Sequence, residues 1–245
     1  MTSWRGSITY KPASHGSVYF GYGTSFNPSA ESLSLSASTV GLPPEKNRTF
    51  EAGSKWDLLQ GRLALNGAIF RTEKLNARET DPNNPLLNIL SGNQRVNGLE
   101  LSVSGKVTNK LEVSSAYALL DSRLASSIAF PSAVGSRLAN VPRNTFNLWA
   151  TYDFPWRVHL GAGSFFVDRR TASSTAPLDP ATGLIKQVPS YWVFNLMASR
   201  PVAEHIDLQL NVNNLANRYY IDQVHPGHLV PGTGRSALLG FRFRF

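Results

Sequence analysis

Two histidines near the end of the chain are the first candidates for chemistry. His225 and His228 flank a Pro-Gly pair, and imidazoles this close in sequence could contribute to a metal site, which usually needs three or four protein ligands. Asp222 is the one nearby side chain that could be a third ligand. We therefore expect no metal site and no resident cofactor, with His225 and His228 as weak metal candidates.

The residues needed for covalent catalysis do not come together in the sequence. The 245-residue chain has no cysteine, which excludes a thiolate nucleophile. Ser164 and His159 are an odd number of residues apart, so on a strand they point to opposite faces. Residues 227–232 have the outer glycine spacing of a phosphate-binding loop, but Thr233 follows in place of its lysine. The residues therefore offer no complete catalytic set.

The elements that position these residues are predicted to be long β-strands. In residues 205–213, for example, isoleucine, leucine and valine alternate with aspartate, glutamine and asparagine, which is the period of a strand with one apolar face. No long segment has the apolar spacing of a helix. The pattern predicts about eleven strands, near 3–11, 16–26, 47–57, 62–73, 94–106, 110–122, 144–153, 157–168, 190–200, 204–215 and 234–245.

The connections between these strands alternate in length. Short connections are predicted at 12–15, 58–61, 107–109, 154–156 and 201–204, and long ones at 27–46, 74–93, 121–143, 169–189 and 216–233. An outer-membrane barrel has this arrangement, with tight periplasmic turns at one rim and long extracellular loops at the other. The sequence thus predicts an all-β fold, an antiparallel transmembrane β-barrel segment whose apolar face contacts lipid and whose polar face lines the lumen.

Composition agrees with a barrel wall. Charged residues make up 16% of the chain, against about 25% in soluble domains, and no apolar stretch reaches the roughly 18 residues of a transmembrane helix. Eleven strands is an odd number, whereas bacterial single-chain barrels usually have even numbers. The chain also begins within a predicted strand and without the apolar segment of a secretory signal. Either one strand is missed, or the chain is part of a larger barrel.

Several segments resemble TonB-dependent receptors. The closing strands of that family are similar to LNVNNLANRYY at 210–220 and GRSALLGFRFRF at 234–245. A mid-barrel hairpin of the family resembles RTFEAGSKW at 48–56 with GRLALNGAIFR at 61–71, and QRVNGLE at 94–100 fits a recurring strand start. The resemblance covers the whole chain and favours the siderophore receptors, with a leaning to the catecholate type.

The resemblance implies a 22-stranded barrel filled by an N-terminal plug. Residues 1–245 are then expected to be the C-terminal portion, the last half of the strands, with the plug and the first half of the barrel absent. Such a fragment, in the outer membrane of a bacterium, would be inactive alone. The family's role is transport, so the resemblance also implies that the chain is not an enzyme. The implied partners are a ferric siderophore, TonB acting through the plug, the barrel assembly machinery and lipopolysaccharide, but no nucleic acid.

The resemblance also implies site residues. A ferric catecholate is an anion, which cationic and aromatic loop residues are suited to bind. The ligand-binding candidates are Arg169, Arg170, Tyr219, Tyr220 and Arg235. The net charge of +8 suits this ligand and equally suits lipopolysaccharide phosphates. Phe241, Phe243 and the terminal Phe245 are similar to the C-terminal signal read by the barrel assembly machinery.

Two other functions remain open from the sequence. A small self-contained barrel of ten or twelve strands could be an outer-membrane hydrolase, which needs a nucleophile and an oriented base at one rim. A complete barrel could also be an adhesin that binds a surface through its long loops. A soluble β-sandwich is disfavoured, because its strands would be shorter and its outer face more charged.

Overall fold

The computed structural model describes residues 2–27, 42–175 and 186–243 of the chain. Its strands are β1 (Arg5–Ala13), β2 (Gly16–Asn27), β3 (Glu45–Leu58), β4 (Leu63–Asp81), β5 (Asn84–Lys106), β6 (Leu111–Ser126), β7 (Asn144–Phe154), β8 (Val158–Val167), β9 (Arg170–Thr171), β10 (Gln187–Val188), β11 (Tyr191–Ala203), β12 (Ile206–Asn213), β13 (Ile221–Val224), β14 (Leu229–Pro231) and β15 (Ser236–Phe243). Two short 3₁₀ helices lie at Pro131–Ala133 and Pro155–Arg157.

Eleven of these strands form one sheet. Its order is β1-β2-β3-β4-β5-β6-β7-β8-β11-β12-β15, and every neighbouring pair is antiparallel. Each long strand therefore pairs with the next long strand in the sequence, as in the wall of an up-and-down barrel. The prediction of about eleven long antiparallel strands is confirmed.

The prediction of a long loop at 74–93 is wrong. Strands β4 and β5 continue through it and turn only at Pro82 and Asn83, so the two strands form a hairpin that extends beyond the rest of the outer rim. In a membrane barrel, both faces of such an extension would lie above the lipid, where no alternation of apolar residues is needed. The period-two signal therefore ends before the strands do. Likewise, β6 continues to Ser126, into the loop predicted at 121–143.

The two faces of the sheet differ in chemistry as predicted. Phe20, Ala52, Ile69 and Leu99 lie side by side on neighbouring strands, and Ile69 is 60% exposed. An apolar face of this kind contacts lipid in a membrane barrel. The opposite face has polar side chains and a pocket of about 330 Å³ lined by residues that include Tyr19, Glu51, Asn66, Glu100 and Asn147. This second face is the lumen side.

Strands β1 and β15 pair on one side only within the residues that the structure describes. Among those residues there is also no helix long and apolar enough to cross a membrane.

Candidate ligand-binding site at the outer rim

Two small hairpins fold together at the outer ends of β8 and β11. Strand β9 pairs with β10, and β13 pairs with β14. Between the two hairpins lies a small apolar cluster of Ala172, Val188 and Val224, with Ile221 packed against it. Because burial of apolar area holds this cluster together, the connections after β8 and after β12 form one packed unit at the rim. Four of the five predicted ligand residues border or belong to this unit, and Arg235 lies at the start of β15.

Arg170 holds the two connections together. Its side chain is almost completely buried, with 6% exposure. Nη1 donates hydrogen bonds to Asn140 Oδ1 at 3.1 Å and to the Asp222 carbonyl at 2.5 Å, and Nη2 donates to the Ile221 carbonyl at 2.6 Å. The guanidinium also lies over the ring of Tyr191, 5.8 Å from its centroid. The structure thus directs this predicted ligand residue toward protein carbonyls.

Tyr220 is the second predicted residue that faces the protein. Its ring packs at 4.5 Å against Tyr191 and at 6.2 Å, edge-on, against Phe165. Burial raises the pKa of the Tyr220 hydroxyl above its ordinary value, and the nearby Asp222 acts in the same direction. Gly232 lies against the ring so closely that an added Cβ would be 2.0 Å from a ring carbon. Tyr220 therefore holds the segment around Gly232, which leads back to β15, against the sheet.

The other three predicted ligand residues are exposed. Tyr219 is 75% exposed, and Arg169 and Arg235 are also exposed. The backbone N–H of Arg235 donates to Asn217 Oδ1 at 3.0 Å, and the Arg169 N–H donates to Asp168 Oδ1 at 2.8 Å. The backbones of Arg169 and Arg235 are therefore anchored. Arg235 Nη1 also donates to the Leu215 carbonyl at 3.5 Å, yet all three side chains remain accessible, which is the arrangement a ligand site requires.

Sequence reasoning missed Asn214, which organises the turn before Tyr219. This residue has a positive φ of 49° and is buried, with 2% exposure. Its Nδ2 donates to the carbonyls of Arg218 and Thr233 at 2.8 and 3.0 Å, and its Oδ1 accepts from the Arg218 N–H at 2.8 Å. Asparagine tolerates positive φ and bonds the local backbone. The two adjacent asparagines of the LNVNNLANRYY segment at 210–220 were the signal in the sequence that could have indicated this turn.

The two histidines stack on each other at the tip of the β13–β14 hairpin. Their ring centroids are 4.5 Å apart, and the N–H of His225 donates to the carbonyl of His228 at 3.0 Å. Within residues 2–27, 42–175 and 186–243, no group of three or more histidine, aspartate or glutamate side chains could hold a metal ion. The two histidines therefore lie in the turn of this hairpin.

The lumen face carries its own polar contacts. The Tyr19 hydroxyl donates to Glu51 at 2.5 Å, and Lys55 Nζ lies over the Tyr19 ring at 5.3 Å. Nearer the periplasmic rim, His159 contacts Asp153 at 2.6 Å. Ser164 pairs instead with Phe194 and Leu148, which places it on the face opposite His159. The serine and the histidine do not converge.

Comparison with known proteins decides the family. Residues 1–215 match the family described as TonB dependent receptor-like, beta-barrel. The chain belongs to the TonB-dependent receptors. These barrels are outer-membrane proteins of Gram-negative bacteria, and the family consists of receptors and transporters. The predictions of the family and of an outer-membrane location are confirmed.

Individual relatives support the assignment to this family. The chain is 36% identical to a probable TonB-dependent receptor, BfrD, of Bordetella pertussis, over 97% of the chain and 33% of that protein. It is 28% identical to the catecholate siderophore receptor Fiu of Escherichia coli K12, over 100% of the chain and 33% of Fiu. The crystal structure of the siderophore receptor PiuA from Acinetobacter baumannii matches with a TM-score of 0.89 and 32% identity, over 98% of the chain and 35% of PiuA. The chain spans about a third of the length of these relatives.

The last strand of this receptor segment carries the predicted assembly signal in part. Phe241 pairs with Leu208 and Phe243 with Ile206, and both phenylalanines are exposed on the apolar face. Phe245 lies outside the described residues. The role of the three phenylalanines in assembly stays a prediction.

Proposed function

We propose that this chain is the C-terminal part of an outer-membrane receptor that takes up a ferric siderophore, of the catecholate type. Two relatives named as siderophore receptors, PiuA and Fiu, align with all of the chain and about a third of their own length. The edges of β1 and β15 that lack partners in the described residues would pair with strands outside this chain. The plug and the remaining strands would then come from the rest of a longer polypeptide or from a second one.

The observation that carries the proposal is that the predicted ligand residues at the outer rim fall into two groups, those that face the protein and those that are exposed. Arg170 and Tyr220 are turned into the protein, so we assign them to positioning. Arg169, Tyr219 and Arg235 are accessible, so we assign them to ligand contact. Arginine donates paired hydrogen bonds to anionic oxygens, and a tyrosine ring can stack on a planar aromatic group. A ferric catecholate offers both anionic oxygens and aromatic rings.

The other partners follow from the same proposal. TonB would act through the plug, which would lie against the lumen face that carries Glu51, Lys55 and Glu100. The barrel assembly machinery would recognise the last strand through Phe241, Phe243 and Phe245. Lipopolysaccharide would surround the outer half of the apolar face. Alone, without the rest of the barrel, the chain would be inactive.

Transport assays in iron-starved cells test the ligand assignment. The native polypeptide with Tyr219→Ala and Arg235→Gln should take up radioactive iron from a ferric catecholate about tenfold more slowly, because two contacts of about 0.7 kcal/mol each are lost. Arg200→Gln is the matched control, because Arg200 pairs with Leu208 on the apolar face at the opposite rim. Equal uptake by wild type and double variant, at equal receptor levels, would refute the assignment.

The size of the native polypeptide tests the assignment to part of a barrel. An antibody against residues 216–233 should detect, in outer membranes, a band about three times heavier than the 26.8 kDa of this chain, since the relatives are about three times its length. A lone band at 26.8 kDa, without a co-purifying barrel partner, would contradict it.

A further inference from the structure

Two asparagines, Asn214 and Asn217, lie in one turn that follows β12. Both have a φ of 49°, in the left-handed region that asparagine tolerates. The Asn217 N–H donates to the Asn214 carbonyl at 2.8 Å, which closes the turn. Glycine would adopt these backbone angles equally well. The backbone conformation therefore does not require the two amide side chains, and their contacts point to a further role.

The turn is anchored to the barrel wall. The Asn214 N–H donates to Oδ1 of Asn195 in β11 at 2.9 Å. The next N–H, that of Leu215, donates to the Phe194 carbonyl at 2.7 Å. Strand β11 is itself paired on both sides, with β8 and β12. The side chain of Asn214 thus extends from a fixed part of the sheet.

The Asn214 side chain joins the two ends of the connection between β12 and β15. At the outgoing end it accepts from the Arg218 N–H and donates to the Arg218 carbonyl, both at 2.8 Å. At the returning end it donates to the Thr233 carbonyl at 3.0 Å, although Thr233 is 19 residues further along the chain. One side chain therefore fixes the residue before Tyr219 and the residue two positions before Arg235.

Asn217 makes the matching contact to Arg235. Its Oδ1 accepts the Arg235 N–H at 3.0 Å, from 18 residues further along the chain. The Arg235 side chain also returns to the turn, where Nη1 donates to the Leu215 carbonyl at 3.5 Å. The β13–β14 hairpin separates Tyr219 from Arg235 in sequence, yet both exposed residues are tied to the same turn.

We propose that Asn214 and Asn217 are positioning residues that fix the separation of Tyr219 and Arg235. The aromatic ring and the guanidinium then contact a single ligand at the same time. Groups that are held in place before binding lose less conformational freedom when the ligand arrives. A fixed separation favours ligands that carry an aromatic ring and anionic oxygens within one rigid unit. This inference rests on the proposed function, in which Tyr219 and Arg235 contact the ligand.

The separation can be measured without any ligand. This chain has no cysteine, so nitroxide labels are attached through Tyr219→Cys and Arg235→Cys, and any cysteine elsewhere in the native polypeptide is replaced by serine. Electron–electron resonance on the receptor, purified from outer membranes in detergent, should give one narrow distance distribution. Adding Asn214→Gly or Asn217→Gly keeps the positive φ and should broaden it. The effect of Asn214→Gly should be larger, because three hydrogen bonds are lost and not one.

Two further variants control this measurement. Asn217→Asp keeps the oxygen that accepts the Arg235 N–H, so its distribution should stay narrow. Ala216 lies exposed between the two asparagines and has no polar side-chain group. Ala216→Gly therefore loosens the same turn without removing a side-chain hydrogen bond, and its distribution should also stay narrow.

Uptake kinetics connect the separation to the ligand. In iron-starved cells, Asn214→Gly should raise the KM for a ferric catecholate about tenfold and leave Vmax unchanged at equal receptor levels, because the two contacts are no longer made together. Adding Tyr219→Ala and Arg235→Gln to Asn214→Gly should raise the KM by less than about twofold more, because contacts that are already lost cannot be lost again. A merely structural role would give additive losses.

Three results would overturn the proposal: an unchanged distance distribution in both glycine variants, equal broadening in Ala216→Gly, or additive losses in the combined variant. If Asn214→Gly does not reach the membrane, both tests are made with Asn217→Gly, which changes one exposed residue. Normal uptake by the variant with Tyr219→Ala and Arg235→Gln alone would refute the ligand assignment instead. The label distances would still decide whether the two asparagines fix the separation.

Discussion

Replacement of Arg170 by alanine should release the β13–β14 hairpin from the rim. The substitution removes a charged donor from the carbonyls of Ile221 and Asp222 and from Asn140. Each buried acceptor left without a donor costs about 1–3 kcal/mol, offset in part because the wild type must desolvate a guanidinium. The net loss in local stability is about 3 kcal/mol, which corresponds to a roughly 150-fold rise in the population of the open hairpin.

Amide hydrogen exchange on the native polypeptide measures this opening. The informative amides are those of His225 and Gly232, which donate to the carbonyls of His228 and Tyr220 within the hairpin. Both should exchange roughly 150-fold faster in Arg170→Ala, because local opening limits their exchange. Arg169→Ala is the matched control, since its side chain is exposed one residue away. Unchanged exchange in Arg170→Ala, or an equal effect in Arg169→Ala, would refute the role of Arg170 in holding the hairpin.

Three further predictions follow from the described contacts. Gly232→Ala should lower the Tm by several degrees, because its Cβ would lie 2.0 Å from the Tyr220 ring, whereas Gly227→Ala, with nothing within 4 Å, should not. Burial works to raise the pKa of Glu45 at the outer end of β3, but hydrogen bonds from the Arg78 N–H, Lys74 and Asn27 outweigh it and lower the pKa below 4.5. Glu45 therefore stabilises the extended β4–β5 hairpin at neutral pH. The protection factors of amides in that hairpin, which are exchange rates corrected for the intrinsic effect of pH, should fall as the pH drops below about 4.5, and less so in Glu45→Gln. Finally, this chain expressed alone should aggregate through the edges of β1 and β15, and a monodisperse, heat-modifiable barrel would contradict that.

The strands that cross the lipid could be predicted from the sequence because the membrane imposes a pattern on them. One face of each must be apolar and the other can be polar, so the period of two appears in the residues themselves. Above the lipid this constraint ends. The hairpin extension at Asp81 and Asn84 is strand in the structure, yet its sequence is rich in asparagine and proline and reads as a loop.

The outer rim was harder to predict because its contacts join residues far apart in the sequence. Arg170 could be selected as a loop cation, but its partners Asp222 and Asn140 are 52 and 30 residues away. No local pattern shows whether an arginine donates to a ligand or to backbone carbonyls. The stretches β9 and β10 are two residues long each, which is too short for any periodicity to appear.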